Sequence, residues 1–196
     1  MYIYVGGVPG VGKSSILSAT VALASDNKVI KVEGSSLMCQ MAGVSSVAEL
    51  RAIPEDTRRL LRSRMIDHLY RLDSDDPETV RIGDGHFCYF DMSGESFGVR
   101  PISPRDRAQL RSFVLFTAGP KQIKMRRMKD RDSRPDRQFD LKFIRLELML
   151  ERTVAQIQAH VLNKRLLIFD TTRTSVVTLS RRFWSYIEEV RSERIE

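Results

Sequence analysis

One stretch constrains the fold of this chain more than any other: "GGVPGVGKSS", residues 6 to 15. An apolar run, "MYIYV", precedes it, and a segment with the apolar spacing of a helix follows. Glycines let the backbone turn its amides inward and approach a polyphosphate closely, and the positive end of the following helix adds to the attraction. The loop amides at Gly7, Gly10, Val11, Gly12, Lys13, Ser14 and Ser15 are therefore the candidate phosphate cradle. Lys13 is placed to neutralise charge on the outer phosphates, and the Ser14 hydroxyl to ligate Mg²⁺. A glycine loop of this kind needs a strand before it and a helix after it, so the chain must contain a sheet with its helices packed alongside.

The remaining sequence supplies that sheet. "KVIKVEG" (28–34), "TVRIGDGH" (79–86), "RSFVLFTAG" (111–119) and "KRLLIFDTT" (164–172) read as four further strands. Helical patterns separate them: one from Gly12 or Lys13 through "SSILSATVALAS", pieces over 35–72, a short one in "PKQIKMRRMKD", a long one over about 137–163, and a terminal amphipathic one. Pro54 with Glu55 and Asp56 marks a strong start for the helix whose stripe is Leu61, Met65, Leu69 and Leu72. Five apolar strands separated by helices imply an α/β sandwich, three layers deep, around a five-stranded parallel sheet in one domain of 196 residues. The stretch 87–104, rich in Gly, Ser and Pro, reads as a long functional loop.

Such a sheet gathers its strand ends along one rim, with the Gly7 loop, the turn at Asp84 and the loop after Asp170. Asp84 is the candidate second metal residue, acting on Mg²⁺ through water. Asp170 reads as a turn residue. His86, two residues after Asp84, either positions an acceptor or merely finishes the turn. An acceptor pocket is expected after the second strand, where Gly34 and Ser35 leave room for a flat ring. Met38 supplies apolar surface there and Arg51 a cation for an acceptor phosphate.

The formal net charge is +7, and 121–137 carries much of the surplus, with eight Lys or Arg against three Asp. A run of this kind reads as a solvated face, a nucleic-acid patch or a catalytic lid. Phosphoryl transfer spreads charge over the migrating oxygens, which arginine forks suit. That chemistry favours a lid over 127–137, with Arg127, Arg131 and Arg134 as catalytic arginines beside Lys13. No aromatic residue interrupts 119–138, which removes a base-stacking platform within the run. Cys39 and Cys88 lack metal-ligand spacing, and neither a signal peptide nor an apolar span is visible, so a reduced cytoplasmic setting away from membranes is expected.

Together "GVPGVGKSS", "EGSSLM", "LRAIPEDTRRL", "GDGH" and "RRMKDRDSRPD" resemble the P-loop nucleoside monophosphate kinases, most closely the archaeal-type adenylate kinases. The resemblance implies a P-loop kinase domain over 1–196, with an acceptor-binding helical region over 34–73 and a short lid over 127–137. It implies ATP as donor with Mg²⁺, and AMP or a related nucleotide as acceptor, bound through Arg51. It also implies transition-state roles for Arg127, Arg131 and Arg134. Gly85 stands where the group has Thr, and Ala52-Ile53 where it has Lys-Leu. Two alternatives stay open: a slow ATPase of the ribosome-associated branch of the same group, and a P-loop kinase for a non-nucleotide small molecule. Oligomeric state is not legible in the sequence.

Overall fold

The computed structural model describes residues 1–24, 28–90, 97–131 and 137–193. Its elements in chain order are β1 (Tyr2–Gly6), α1 (Lys13–Val21), β2 (Val29–Glu33), α2 (Gly34–Ala42), α3 (Val47–Ala52), α4 (Glu55–Asp75), β3 (Val80–Asp84), β4 (Cys88–Phe90), β5 (Phe97–Val99), α5 (Asp106–Gln109), β6 (Leu110–Thr117), α6 (Pro120–Lys129), α7 (Leu141–Leu162), β7 (Arg165–Asp170) and α8 (Val176–Ser192). The main sheet has five strands in the order β2-β3-β1-β6-β7, and every pair is parallel. The strand that opens the chain therefore lies at the centre, and the glycine loop leaves from the middle of the rim.

Side-chain alternation along the strands sorts the core into two layers. Ile3, Val5, Ile82, Val114 and Phe116 face one way, against Ile16 and Leu17 of α1 and Leu179, Phe183 and Ile187 of α8. Tyr2, Tyr4, Phe113 and Leu115 face the other way, against Ile66, Leu69 and Tyr70 of α4 and Ala155, Ala159 and Leu162 of α7. Strands buried on both faces are what read as continuous apolar runs. On the second face the Tyr2 ring lies across Gly83, filling the space where a side chain on β3 would stand.

Several local expectations change. Helix α1 stops at Val21. The buried stripe of α4 is Leu61, Ile66, Leu69 and Tyr70; Leu72 is exposed, because the helix turns its last apolar residues away from the sheet. The stretch read as a loop over 87–104 contains an antiparallel pair, Cys88↔Val99 to Phe90↔Phe97. That pair is anchored by a buried polar network. Arg100 makes a bidentate pair with Asp106 at 2.8 and 3.0 Å, Tyr70 donates its hydroxyl to the same carboxylate, and the Gln158 amide donates to the Arg100 carbonyl at 2.7 Å. A paired buried ion is the form in which charge survives in a core, although the Arg100 Nε itself is buried without a hydrogen-bond partner.

Candidate active site

The glycine loop folds as its composition demands. Gly10 and Gly12 both sit at φ 90°, a left-handed conformation that side chains with a Cβ resist. Gly12 caps α1, so the first-turn amides of Lys13, Ser14 and Ser15 have no carbonyl within the helix to bond and remain available to an anion. Ser14 and Ser15 are exposed at this helix start, while Lys13 is buried.

The Lys13 ammonium is held across the rim. It donates to the Gly7 carbonyl at 3.0 Å and the Gly85 carbonyl at 2.6 Å, and lies 3.2 Å from Asp84 Oδ1. Asp84 comes from the end of β3, where Val5↔Asp84 and Glu33↔Asp84 register fixes it between β1 and β2. Its other oxygen lies 3.5 Å from Lys31 Nζ, which also pairs with Glu33 at 2.7 Å. The structure thus brings Lys13, Ser14 and Asp84 to one rim. Among the described residues no cluster of three or more His, Cys, Asp or Glu could hold a metal by itself. One carboxylate beside one exposed hydroxyl instead fits Mg²⁺ arriving with nucleotide phosphates, since that ion keeps several waters and takes few protein ligands.

Behind the loop stand three side chains that the sequence did not place there. Glu151 of α7, almost wholly buried, accepts from the Gly7 amide at 2.7 Å, the Phe87 amide at 3.0 Å and the Cys88 amide at 2.6 Å. Burial pushes its carboxyl above the ordinary value, against the pull of these amides and of Lys13. A glutamate on an amphipathic helix reads as surface. The missed signal is its position in the core stripe Ile144, Glu151, Ala155, Gln158, Leu162. Arg126 donates to the Val11 carbonyl at 2.8 Å and to both the hydroxyl and the carbonyl of Thr171, each at 2.9 Å.

Arg127 corrects the lid expectation. It lies on α6 at 1% exposure, donating to Pro9 O at 2.9 Å, Gln138 O at 2.8 Å and Glu147 Oε2 at 2.7 Å. A guanidinium so engaged braces the loop from behind rather than closing over it. Arg131 follows α6, exposed, with its guanidinium 5.9 Å from the Phe139 ring centre. Arg134 and the central part of the expected lid lie outside the described residues.

His86 is partly exposed, and its backbone carbonyl takes the Tyr4 hydroxyl at 2.6 Å. Desolvation and then the charge of Lys13, against the pull of the Gly7 backbone, lower its pKa from the ordinary imidazole value. Asp170 does make a turn, accepting from the Thr172 amide at 2.8 Å.

On the acceptor side, Gly34 begins α2 close to the Asp84 carbonyl and the Met65 thioether, where a side chain would meet them at 3.3 and 3.6 Å. Ser35 is exposed on the same helix, and Arg51 is exposed in the last turn of α3. Met38 corrects the pocket expectation: it is buried in a small cluster with Leu50 and Leu61, because the two short helices α2 and α3 and the start of α4 need a core of their own. Arginines the sequence reading passed over stand nearby. Arg58 and Arg62 hold one oxygen each of the Glu55 carboxylate, both at 2.8 Å. Arg62 lies 3.8 Å over the Tyr89 ring, and Arg58 Nε is buried without a hydrogen-bond partner.

The chain also resembles known proteins. Shikimate kinase from Bacteroides thetaiotaomicron superposes with a TM-score of 0.59 at 15% identity, covering 96% of this chain and 98% of that one. Shikimate kinase from Acinetobacter baumannii, in complex with shikimate, gives a TM-score of 0.52 at 12% identity over 96% and 93%. At these identities the likeness shows the fold, an α/β P-loop kinase fold, and does not single out adenylate kinases. No curated protein matches the chain. Among the described residues no helix is long and apolar enough to cross a membrane. The family model described as "AAA domain" matches residues 6–142, well over half of the sequence, and the chain belongs to that family.

Proposed function

We propose that the protein is an ATP-dependent phosphotransferase acting on a small anionic acceptor. The observation that carries this reading is the Lys13 ammonium spanning the Gly7 loop and the Asp84 turn, with an arginine pair beyond that turn. In the proposed arrangement the loop amides and Lys13 hold the outer phosphates of ATP. Lys13 leaves its two carbonyls to do so. Ser14, and Asp84 through water, hold Mg²⁺, which when bound offsets charge on the phosphates. Asp84 loses one ammonium partner in that movement and keeps Lys31.

The acceptor would lie between Gly34, Met65, Tyr89 and the two arginines. Glu55 already shows what Arg58 and Arg62 accept: one carboxylate, an oxygen to each. Arginine forks take carboxylates and phosphates alike. His86, beside the Lys13 anchor at Gly85, would orient the acceptor by hydrogen bonding. The acceptor oxygen would attack the γ-phosphorus as the bond to the β–γ bridging oxygen breaks and ADP leaves, a hydroxyl acceptor giving its proton to water, so no protein nucleophile is required.

A carboxylic acid bearing a hydroxyl is the acceptor class that the shikimate complex of one structural neighbour supports. The second reading is a nucleoside monophosphate, whose phosphate the Arg58–Arg62 pair would take as it takes the Glu55 carboxylate. The deciding experiment incubates the protein with Mg-ATP and two panels, hydroxy-carboxylic acids including shikimate and (deoxy)nucleoside monophosphates. ADP and phosphorylated product are both scored. Product from the acids alone supports the first reading and from the monophosphates alone the second. No acceptor-dependent ADP from either panel would sink both.

A further inference from the structure

We infer that Glu151 is a positioning residue that locks the donor-phosphate loop to the turn carrying Asp84 and His86. The inference rests on the phosphotransfer reading for its kinetic consequence, although the coupling itself does not.

Two segments that are distant in sequence meet at this one carboxylate. Oε1 accepts from Gly7, the first residue of the loop, at 2.7 Å and from Phe87 at 3.0 Å. Oε2 accepts from Cys88 at 2.6 Å. The groups proposed to act on the donor, Lys13 and Ser14, follow the first segment, and Asp84 and His86 precede the second. The Lys13 bridge also joins the two segments, but the proposed mechanism breaks it when Lys13 turns to the phosphates. Glu151 has no such second task, and its side chain is only 2% exposed. During turnover it therefore adds to the β1–β3 pairing, in which the Gly85 N–H bonds the Val5 carbonyl at 2.9 Å, and carries the tie beyond the strand ends to Gly7 on one side and to Phe87 and Cys88 on the other.

A purely structural position would not favour this residue. Taking a carboxylate out of water is unfavourable, and packing alone would avoid it. What a carboxylate supplies is acceptor capacity for three amides at once, with no donor of its own. Glutamine at 151 could keep Oε1 on Gly7 and Phe87. Its amide nitrogen would then face the Cys88 N–H, donor against donor. The turn would shift relative to the loop, and a misplacement of about 1 Å in such a site is worth about 100-fold in rate.

The test compares wild type with Glu151→Gln and Glu151→Asp, using exposed Arg152→Ala as the control on the same helix. Folded fraction is followed by circular dichroism. A non-hydrolysable Mg-ATP analogue is titrated by calorimetry and by amide NMR. In wild type the Phe87 and Cys88 amides should respond when the analogue fills the loop. In Glu151→Gln the analogue should bind within about 3-fold of wild type while that response disappears, and kcat should fall about 10- to 100-fold with KM for ATP little changed. Glu151→Asp keeps the charge one methylene short and should show a smaller version of the same split, which serves if the glutamine variant does not fold. The inference is overturned if kcat per folded molecule stays within twofold of Arg152→Ala, or if the wild-type Phe87 and Cys88 amides ignore the analogue. A wild-type response without turnover on any acceptor would reject the phosphotransfer reading alone and leave the coupling standing.

Discussion

On the donor side of the rim, Glu151, Arg126 and Arg127 grip the loop from Gly7 to Gly12 from behind, and both main core layers lie beneath it. The acceptor side is lighter. Its helices α2, α3 and the start of α4 rest on a cluster of three buried residues, Met38, Leu50 and Leu61, below two arginines that share one half-exposed carboxylate. Holding polyphosphate is a fixed task, and its scaffold can be rigid. Receiving an acceptor requires room and exchangeable partners, and a small satellite core permits both.

Breaking the donor brace should have the largest effect. Arg127→Ala strands Glu147, which burial already pushes toward its neutral form, and removes the support of Pro9. Loss of one partner from such a pair costs about 3–5 kcal/mol, to be read from urea unfolding, with turnover falling as well. Next comes Lys13→Ala. Transfer should drop about 100- to 1,000-fold with the melting temperature nearly kept, because Asp84 retains Lys31. An active Lys13→Ala protein would refute the donor assignment.

On the lighter side, Leu50→Ala should cost about 2–3 kcal/mol, the low end for a buried leucine, because a small cluster can collapse around the gap. Hydrogen exchange should then rise in α2 and α3 before it rises in β1, and uniform protection would erase the contrast between the two regions. Arg62→Ala should raise acceptor KM about 10-fold and leave ATP affinity unchanged. The cysteines provide the mildest probe. Burial, then the charges of Glu151 and Glu147, push the Cys88 thiol up to about 12. It therefore stays protonated from pH 7 to 9.5 and should not gain reactivity across that range. Alkylation of the native protein should fall on half-buried Cys39, on the acceptor side, as mass mapping would show.

The same division decides what could be read in advance. The phosphate loop and the five parallel strands follow from local signals: glycines at forced dihedrals and apolar runs, buried on two faces in β1, β3 and β6. Asp84 follows from its place at a strand end. The β4–β5 pair escaped because each strand has three residues, too few for alternation to show. Arg127 was misplaced because charge in a run reads as exposed, and only α7 reveals its partner. Glu151 and the Arg100–Asp106 pair were invisible for a related reason: long-range contacts bury charge without leaving a local pattern. Arg58 and Arg62 carry no local sign of their partners, and only the fold sets Arg62 against the Tyr89 ring.

The ring of Tyr2 lying across Gly83 has a meaning for the chain's evolutionary freedom. Neither position can be judged alone. A residue larger than glycine at 83 would run into the Tyr2 ring of the neighbouring strand, and a smaller residue at 2 opens a void that glycine cannot fill. The two sites should drift as a linked pair, and a chimera that inherits β1 from one parent and β3 from another should fold only when both come from the same lineage.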